Sequence, residues 1–171
     1  MTHEEVVTIV DEKNNIIGSE PRSRMRTYGL PHRATYILVF NSDGELFVQK
    51  RTPDKDVYPG FYDVAAGGVV KAGETYEKSA SRELYEELGV ADVELNYLFD
   101  FYHEDVGNRV WGRAYWCVYD GVVRLQAEEV ESGRFYSIEK ILMLIERQRF
   151  TPDGLYVLQR YLDVKERHVE L

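Results

Sequence analysis

The chain has 171 residues, 30% charged and 44% apolar, which suits one folded domain with a buried core. Its formal net charge of −9 argues against nucleic acid and anionic membrane surfaces as partners, because both attract basic surfaces. One cysteine rules out an internal disulfide, no apolar window approaches the roughly 18 residues of a membrane span, and the acidic N-terminus is unlike a signal peptide, so we expect a cytoplasmic protein.

The predicted elements begin with a β-hairpin over about residues 5–20. Two short apolar runs, 5–10 and 16–18, flank Asn14 and Asn15, a pair that tolerates left-handed turn geometry. The hairpin would present an exposed sheet edge that a second copy of the chain could cover. The sequence is therefore compatible with a homodimer formed through this edge, and it does not determine the oligomeric state.

Apolar runs and alternation predict the remaining strands, at residues 34–40, 46–50, 62–66, 93–103, 109–119 and 134–136. Helical periodicity and capping residues predict a helical turn at 22–25 and helices at 75–88, at 138–147 and from Thr151-Pro152 onward, with the C-terminal helices covering about 138–166. This order indicates a single domain, 1–171, of the α/β (α+β) class. We expect a mixed β-sheet with helices on its faces.

The helix at 75–88 carries an unusual cluster of carboxylates. At about 100° per residue, Glu83, Glu86 and Glu87 fall within an arc of roughly 100°. Like charges at these spacings repel one another, and the helix end at Gly89 disfavours glutamate. Local stability rules are therefore broken at this turn.

Two interpretations of the cluster are open. It could be a solvated acidic face in which Arg82 pairs with Glu86, or a site for Mg²⁺ or Mn²⁺, which prefer converging carboxylate oxygens. The preceding loop, which runs from Gly67 to Glu74, contains paired glycines that let the backbone approach a ligand closely. The combination of this loop with the cluster favours the metal site.

Residues 68–90 match the pattern G-x5-E-x7-R-E-U-x-E-E-x-G-U, in which U is apolar, at every fixed position. The matching residues are Gly68, Glu74, Arg82, Glu83, Leu84, Glu86, Glu87, Gly89 and Val90. Chance agreement at so many positions is on the order of 10⁻⁸ per starting residue. The pattern is the Nudix box, and the chain resembles the Nudix hydrolase superfamily.

The resemblance extends over roughly residues 8–140. The segments VDEKNNIIG, SRMR, HRATYILVF, QKR and PGFYDVAAGG are similar to a bacterial subgroup of the YfcD type, which also resembles isopentenyl-diphosphate isomerase. The resemblance implies the Nudix fold, in which a mixed sheet lies between helices and the box forms a loop–helix–loop.

The resemblance also implies roles for individual residues. The carboxylates of Glu83, Glu86 and Glu87 and the backbone carbonyl of Gly67 would bind the metal, while Arg82 and Glu74 would brace the loop against the helix. Gly68 and Gly89 occupy the fixed glycine positions of the box. No residue is identified for the rest of the substrate.

In such enzymes a water attacks a phosphorus of a nucleoside diphosphate linked to another moiety, with Mg²⁺ or Mn²⁺ bound. Metal stabilises charge on the phosphoryl oxygens, and a carboxylate removes a proton from the water. Glu83 is one candidate for this base. The acidic stretch before the late strand offers Glu128, Glu129 and Glu131. A solvated charge run is the favoured interpretation of this stretch, and Glu129 is the candidate base chosen among the three.

Two functions other than hydrolysis, an isomerase and a non-catalytic sensing module, are less consistent with the sequence. The isomerase uses a catalytic cysteine and a metal that is bound by histidines. In this sequence Ala66 aligns with the cysteine and Gly68 with one of the metal histidines. Arg109 lies near the position of a glutamate from a later strand of the isomerase. Cys117, which we expect to be buried, is distant in sequence, and only His32 matches a metal histidine. A non-catalytic module that senses nucleotides usually lacks box glutamates, and here all are present.

Several other residues have a structural interpretation that we favour over a role in the site. His32 and His103 are expected to be hydrogen-bonded structural residues, and Tyr102, Trp111 and Trp116 are expected to pack in the core rather than stack on a base. The substrate is not determined by the box. Among candidate substrates, nucleoside diphosphate derivatives rank first, unmodified nucleoside triphosphates second and prenyl diphosphates third.

Overall fold

The computed structural model describes residues 4–169, which form eight strands and four helices. The strands are β1 (Val6–Val10), β2 (Ile16–Pro21), β3 (His32–Phe40), β4 (Leu46–Arg51), β5 (Tyr62–Asp63), β6 (Asn96–Asp105), β7 (Asn108–Val118) and β8 (Val130–Tyr136). The helices are α1 (Arg22–Tyr28), α2 (Tyr76–Leu88), α3 (Ile138–Ile145) and α4 (Pro152–Val169).

The strands form one mixed sheet, as predicted. One path runs in the order β2-β1-β3-β4-β5, while β6 pairs with β7 and β8 pairs with β4, all antiparallel. The parallel pair is β3 with β7, in a register that runs from His32 opposite Val110 to Phe40 opposite Val118. A long parallel pair at the centre of a sheet requires cover on both faces.

Strand β3 supplies both halves of the core because its side chains alternate between the two faces. Leu38 packs in the cluster that contains Ile141 of α3 and Leu158 of α4. Ile37, on the opposite face, packs in the cluster that contains Leu84 of α2. The prediction of a strand covered on both faces is confirmed. Each such side chain contributes roughly 1.5–3 kcal/mol by burial.

Helix α2 is bounded by the two signals that predict it. The Thr75 hydroxyl accepts a hydrogen bond from the amide of Lys78, and Gly89 ends the helix with φ +68°, a conformation that suits glycine. Four apolar residues that recur every four positions, Tyr76, Ala80, Leu84 and Leu88, form an apolar stripe that is buried throughout. Beside this stripe, Glu83 and Glu87 face the glycine-rich loop, where Glu83 lies against Gly68 and Glu87 accepts a hydrogen bond from the amide of Gly67.

The strand predicted at 62–66 is wrong in its second half. Strand β5 ends at Asp63, and the following residues reach β3 through separate bridges, Ala66 to Ile37 and Val69 to Ala34. Gly67 lies between these bridges with φ +131°, which interrupts a regular ladder.

Other boundaries differ less. Strand β8 begins at Val130 rather than 134 because residues 130–136 pair with β4, a long-range contact that apolar alternation does not reveal. Helix α3 ends at Ile145 rather than 147, and α1 extends to Tyr28 before Gly29 adopts φ +59°. Asn14 adopts φ +64° in the predicted hairpin turn.

Strand β2 lies at the end of the sheet path, and Ile16 and Ile17 are largely exposed there, at 62% and 65%. A homodimer formed through this edge stays a hypothesis. Among the described residues, none of the helices combines the length and apolar character that crossing a membrane requires.

Candidate active site

The three box carboxylates line one cavity of about 470 Å³ beside the glycine-rich loop. Their exposure differs: Glu87 is buried, with 7% of its surface exposed, while the side chains of Glu83 and Glu86 are 14% and 43% exposed. One turn of α2 therefore presents one deep, one intermediate and one exposed carboxylate to the same space.

Glu87 is the buried member of the cluster. Its Oε2 accepts long hydrogen bonds from Gln49 Nε2 at 3.4 Å and from the amide of Gly67 at 3.5 Å. Burial, and then the neighbouring charge of Glu83, raise the pKa of this carboxyl to about 8. A carboxylate so weakly compensated has a strong tendency to bind a proton or a cation.

Glu83 lies directly over Gly68. A Cβ added to Gly68 would be 2.6–2.8 Å from the three carboxyl atoms of Glu83, so only glycine leaves room for this side chain. Burial raises the pKa of Glu83, and the adjacent Arg82 opposes that change. The loop glycine and the helix carboxylate are thus fitted to each other.

Arg82 joins the loop to the helix. Its guanidinium donates to both oxygens of Glu74, at 2.7 and 2.9 Å, to Glu83 Oε1 at 2.9 Å and to Glu86 Oε2 at 3.1 Å. The two contacts with Glu74 hold the loop against the helix. The contact with Glu86 is the helical pair that the solvated-face interpretation requires, so the two interpretations are not exclusive.

Gly67 has a conformation that other residues adopt with difficulty. A Cβ there would be 2.1 Å from the carbonyl oxygen of Thr35, and the backbone has φ +131°. The residue lines the cavity and its amide faces Glu87. Its predicted role as a carbonyl ligand stays a prediction.

The three candidates of the acidic stretch, Glu128, Glu129 and Glu131, have different surroundings in the structure. Glu128 and Glu129 line the cavity, and the carboxylate of Glu129 pairs with Lys55. Glu131 lies on β8 and pairs with Lys50 at 3.5 Å, outside the set of cavity-lining residues.

The histidines and the cysteine have structural surroundings. His32 is buried against the carbonyl oxygen of Leu30 at 3.0 Å, and burial lowers its pKa to about 4, although the residue borders the cavity. His103 Nε2 contacts Asp105 at 2.8 Å. Cys117 is fully buried in the core on the α2 side, where burial raises the pKa of its thiol to about 12.

None of the three predicted aromatic residues is among the described residues that line the cavity, but the core position predicted for Tyr102 is wrong, because 39% of its surface is exposed. Tyr102 and Trp111 contact each other with ring centroids 5.4 Å apart, and Trp116 packs against the core on the α3 and α4 side.

The sequence reasoning missed the basic side chains of the cavity, which are Arg22, Arg26, Arg51 and Lys55. Arg51 ends β4, and its guanidinium donates to the carbonyl oxygen of Val57 from Nε at 3.1 Å and from Nη2 at 2.9 Å. The available signal was the group of basic residues Lys50, Arg51 and Lys55, which lie at the end of β4 and just after it.

The oxygen ligands that the cavity offers are of the kind that a hard divalent cation prefers. Buried carboxylates with raised pKa and a glycine cradle offer oxygen ligands and leave negative charge uncompensated. Across residues 4–169, however, no three acidic, histidine or cysteine side chains converge closely enough to hold an ion as they stand. Glu83 and Glu86 contact Arg82, so a cation would compete with that guanidinium for their oxygens.

Comparison with known proteins identifies the family of the chain. The NUDIX domain model matches residues 30–161. The uncharacterized Nudix hydrolase PA4841 of Pseudomonas aeruginosa is 47% identical over 93% of this chain and 94% of its own length. YfcD of Escherichia coli K12, also an uncharacterized Nudix hydrolase, is 43% identical over 92% and 87%.

Solved structures give the same result for the fold. DR0079 from Deinococcus radiodurans superposes with a TM-score of 0.79 at 25% identity and covers 91% of this chain and 98% of its own. A MutT protein from Methanosarcina mazei superposes with a TM-score of 0.67 at 21% identity, over 80% and 95%. The chain therefore belongs to the Nudix hydrolase family, in its YfcD-like branch, and is a Nudix-type pyrophosphohydrolase.

Proposed function

We propose that the protein hydrolyses a phosphoanhydride bond of a small diphosphate compound with Mg²⁺ or Mn²⁺ bound at Glu83, Glu86 and Glu87. The preferred substrate is a nucleoside diphosphate linked to another moiety. The observation that carries the proposal is a single cavity that contains both the box carboxylates and a set of basic side chains.

Charge explains why both kinds of group are needed. A diphosphate entering a cavity lined by several carboxylates is repelled unless positive charge offsets them. Arg51 and Lys55 line the cavity and supply part of this charge, and the bound metal supplies the rest. The phosphates therefore lie between the box and the β4–β5 loop.

The metal, when bound, stabilises charge on the phosphoryl oxygens and makes a bound water more acidic. The chain's own residues then have separate tasks. Gln49 and the amide of Gly67 fix Glu87, and Arg82 fixes the loop on the helix through Glu74. Lys55 orients the substrate phosphates once it leaves Glu129.

The base that accepts the proton of the attacking water is a carboxylate of this cavity, and two remain candidates. Glu83 is buried beside Gly68, and burial raises its pKa toward the working range of a base. Glu129 becomes available when Lys55 turns to the phosphates. The acid limb of the kcat–pH profile distinguishes them, because it disappears in Glu83→Gln or in Glu129→Gln, depending on which residue is the base.

The isomerase function lacks support in the cavity. Cys117 is fully buried in the core cluster on the α2 side and is not among the described residues that line the cavity, and Ala66 occupies the wall next to the glycine pair. A sensing module without turnover is distinguished by assay.

The experiment is a screen for released phosphate and monophosphate over nucleoside diphosphate derivatives, nucleoside triphosphates and prenyl diphosphates, with Mg²⁺ and with Mn²⁺. We expect metal-dependent turnover that is lost in Glu86→Gln. The matched control is Glu77→Gln, on the same helix, exposed and outside the cavity. Binding of a nucleotide without turnover under every metal condition would favour the sensing module instead.

A further inference from the structure

The cavity has a second wall, from which the proposed hydrolysis uses only the positive charge of Arg51. It consists of Tyr36 on β3, Asp63 on β5, Asn108 on β7, and Thr151 and Asp153 at the start of α4, with Arg51 beside them. We call these six residues the polar wall. Its members come from distant parts of the chain and meet only in the folded protein.

The carboxyl groups of the polar wall are held in fixed positions. The Tyr36 hydroxyl donates to Asp153 Oδ2 at 2.8 Å, and the amide of Ala65 donates to Asp63 Oδ1 at 3.0 Å. A Cβ on Gly154 would lie 2.5 Å from Asp63 Oδ1 and from Thr151 Oγ1, so glycine allows these groups to come together. A rigid arrangement of this kind favours recognition of a ligand over a merely solvated acidic patch.

The polar wall also has unused hydrogen-bonding capacity. Thr151 is 1% exposed, and its hydroxyl borders the Asp63 carboxyl, whose pKa it lowers, but it makes no hydrogen bond of ordinary geometry among the described residues. Arg51 uses Nε and Nη2 on Val57, while its Nη1 lies 4.0 Å from Asp63 Oδ2. Buried polar atoms without partners carry a free-energy cost that a bound ligand relieves.

The two carboxyl groups provide a donor as well as acceptors near neutral pH. Burial, followed by the charge of Asp153, raises the pKa of Asp63 to about 7. A proton retained by the pair gives one O–H donor beside several oxygen acceptors. This combination matches hydroxyl groups, which both donate and accept.

The position of the polar wall relates it to the box. Residues 63–67 form a continuous segment whose Asp63, Ala65, Ala66 and Gly67 all line the cavity. Such a segment spans at most about 14 Å. A substrate whose diphosphate lies at the box therefore places the group attached to it on the polar wall, an inference that rests on the proposed function.

The chemistry of the cavity excludes a large apolar group at this position. No phenylalanine or tryptophan is among the described residues that line it. Of the two lining tyrosines, Tyr36 packs its ring against Phe101 and Tyr58 uses its hydroxyl on Asp105. A prenyl chain would find little apolar area to bury there.

We propose that the polar wall binds a sugar-like, hydroxyl-rich group attached to the diphosphate on the side away from the nucleoside. Asp63, Asp153 and Thr151 bind its hydroxyls, and Arg51 provides a further donor. The protein is then selective for sugar-bearing diphosphates over prenyl diphosphates and over simple nucleoside diphosphates.

The test uses three probes with a non-hydrolysable methylene bridge, so that binding is measured apart from turnover. They are methylenediphosphonate, α,β-methylene-ADP and α,β-methylene-ADP-ribose, titrated calorimetrically with saturating Mg²⁺. We expect the wild-type protein to bind the ADP-ribose analogue at least about tenfold more tightly than the ADP analogue, and Asp153→Asn to remove this difference. Asp63→Asn is a second variant with the same expected result.

The matched control is Asp163→Asn, which changes an exposed carboxylate on the same helix. Unchanged binding of methylenediphosphonate by Asp153→Asn shows that the box and the fold are intact. The proposal is overturned if the wild type does not prefer the ADP-ribose analogue, if Asp153→Asn weakens the ADP analogue equally, or if all three probes weaken together. Failure of the hydrolysis proposal is separate, because it would appear as absent turnover with this binding pattern preserved.

Discussion

Two pairs of buried carboxyl groups lie in the same cavity and are held by different partners. Glu83 and Glu87 come from adjacent turns of one helix and face Arg82, Gln49 and the glycine loop. Asp63 and Asp153 come from a short strand and a late helix, and they accept hydrogen bonds from the Ala65 amide and the Tyr36 hydroxyl.

The difference shows how one kind of side chain performs two tasks. Glu87 accepts only long hydrogen bonds, so its ionised form is poorly compensated and suits a metal cation. The aspartates have short hydrogen bonds from neutral donors and share their surroundings with Thr151, so they suit neutral hydroxyl groups. Local partners, rather than residue type, distinguish a charge site from a hydrogen-bonding site.

The largest expected effect is on turnover. Glu87→Gln removes a proposed metal ligand while preserving shape, so we expect the hydrolysis rate at saturating metal to fall by at least about 100-fold. The free energy of unfolding without metal should stay the same or rise at neutral pH, since burial raises the pKa of Glu87 to about 8 and the folded protein must hold a proton there that the unfolded chain releases. Steady-state kinetics and urea unfolding measure the two effects. Near-normal turnover in this variant would remove Glu87 from the metal site.

A smaller effect is expected at the loop glycine. Gly68→Ala places a methyl group 2.6–2.8 Å from the Glu83 carboxyl group and displaces it, so we expect about a tenfold loss of turnover and about 1–3 kcal/mol of stability. Gly18→Ala is the control, because a Cβ there meets nothing within 4 Å. Equal activity of the two variants would show that the fit between Gly68 and Glu83 has no role in catalysis.

The aspartate pair predicts a pH dependence of stability. The folded pKa of Asp63, about 7, lies above its ordinary value of 3.8, so its contribution is full below pH 4 and is lost as the pH rises through 7. Asp63→Asn does not titrate, so its stability relative to wild type should rise between pH 5 and pH 8.5 by on the order of 2–4 kcal/mol. Urea unfolding with a chelator measures this difference. A constant difference would mean that Asp63 is ionised throughout.

The smallest effect is expected at the cysteine. Cys117→Ala removes a buried sulfur that is not among the described residues lining the cavity, so we expect a cost of about 1 kcal/mol in unfolding free energy and hydrolysis rates within twofold of wild type. A collapse of activity in a variant that is still folded would revive a chemical role for the thiol.

The box could be predicted from sequence because it is local. Thr75, the apolar stripe and Gly89 fix the helix, and helical geometry then fixes the relative positions of Glu83, Glu86 and Glu87. The fold class was predictable for a similar reason, since apolar runs such as 34–40 indicate buried strands directly.

The rest of the cavity could not be predicted because it depends on tertiary contacts. Asp63 and Asp153 approach only when β5 meets the start of α4, and the ion pair of Lys55 with Glu129 joins two separate loops. Hydrophobic periodicity along the chain carries no information about these tertiary contacts. Glu131 was a candidate for the site because it follows Glu128 and Glu129 in the chain. Its location on β8 is determined by the pairing of β8 with β4.

The central claim is that the box carboxylates bind a divalent cation, and direct titration of the protein with Mn²⁺ tests it. Calorimetry should show saturable binding in the wild type and in Glu77→Gln, with affinity at least about tenfold weaker in Glu86→Gln and Glu87→Gln. Identical affinities in all four proteins would contradict the claim, because the cation would then bind elsewhere and Arg82 would remain the partner of the box.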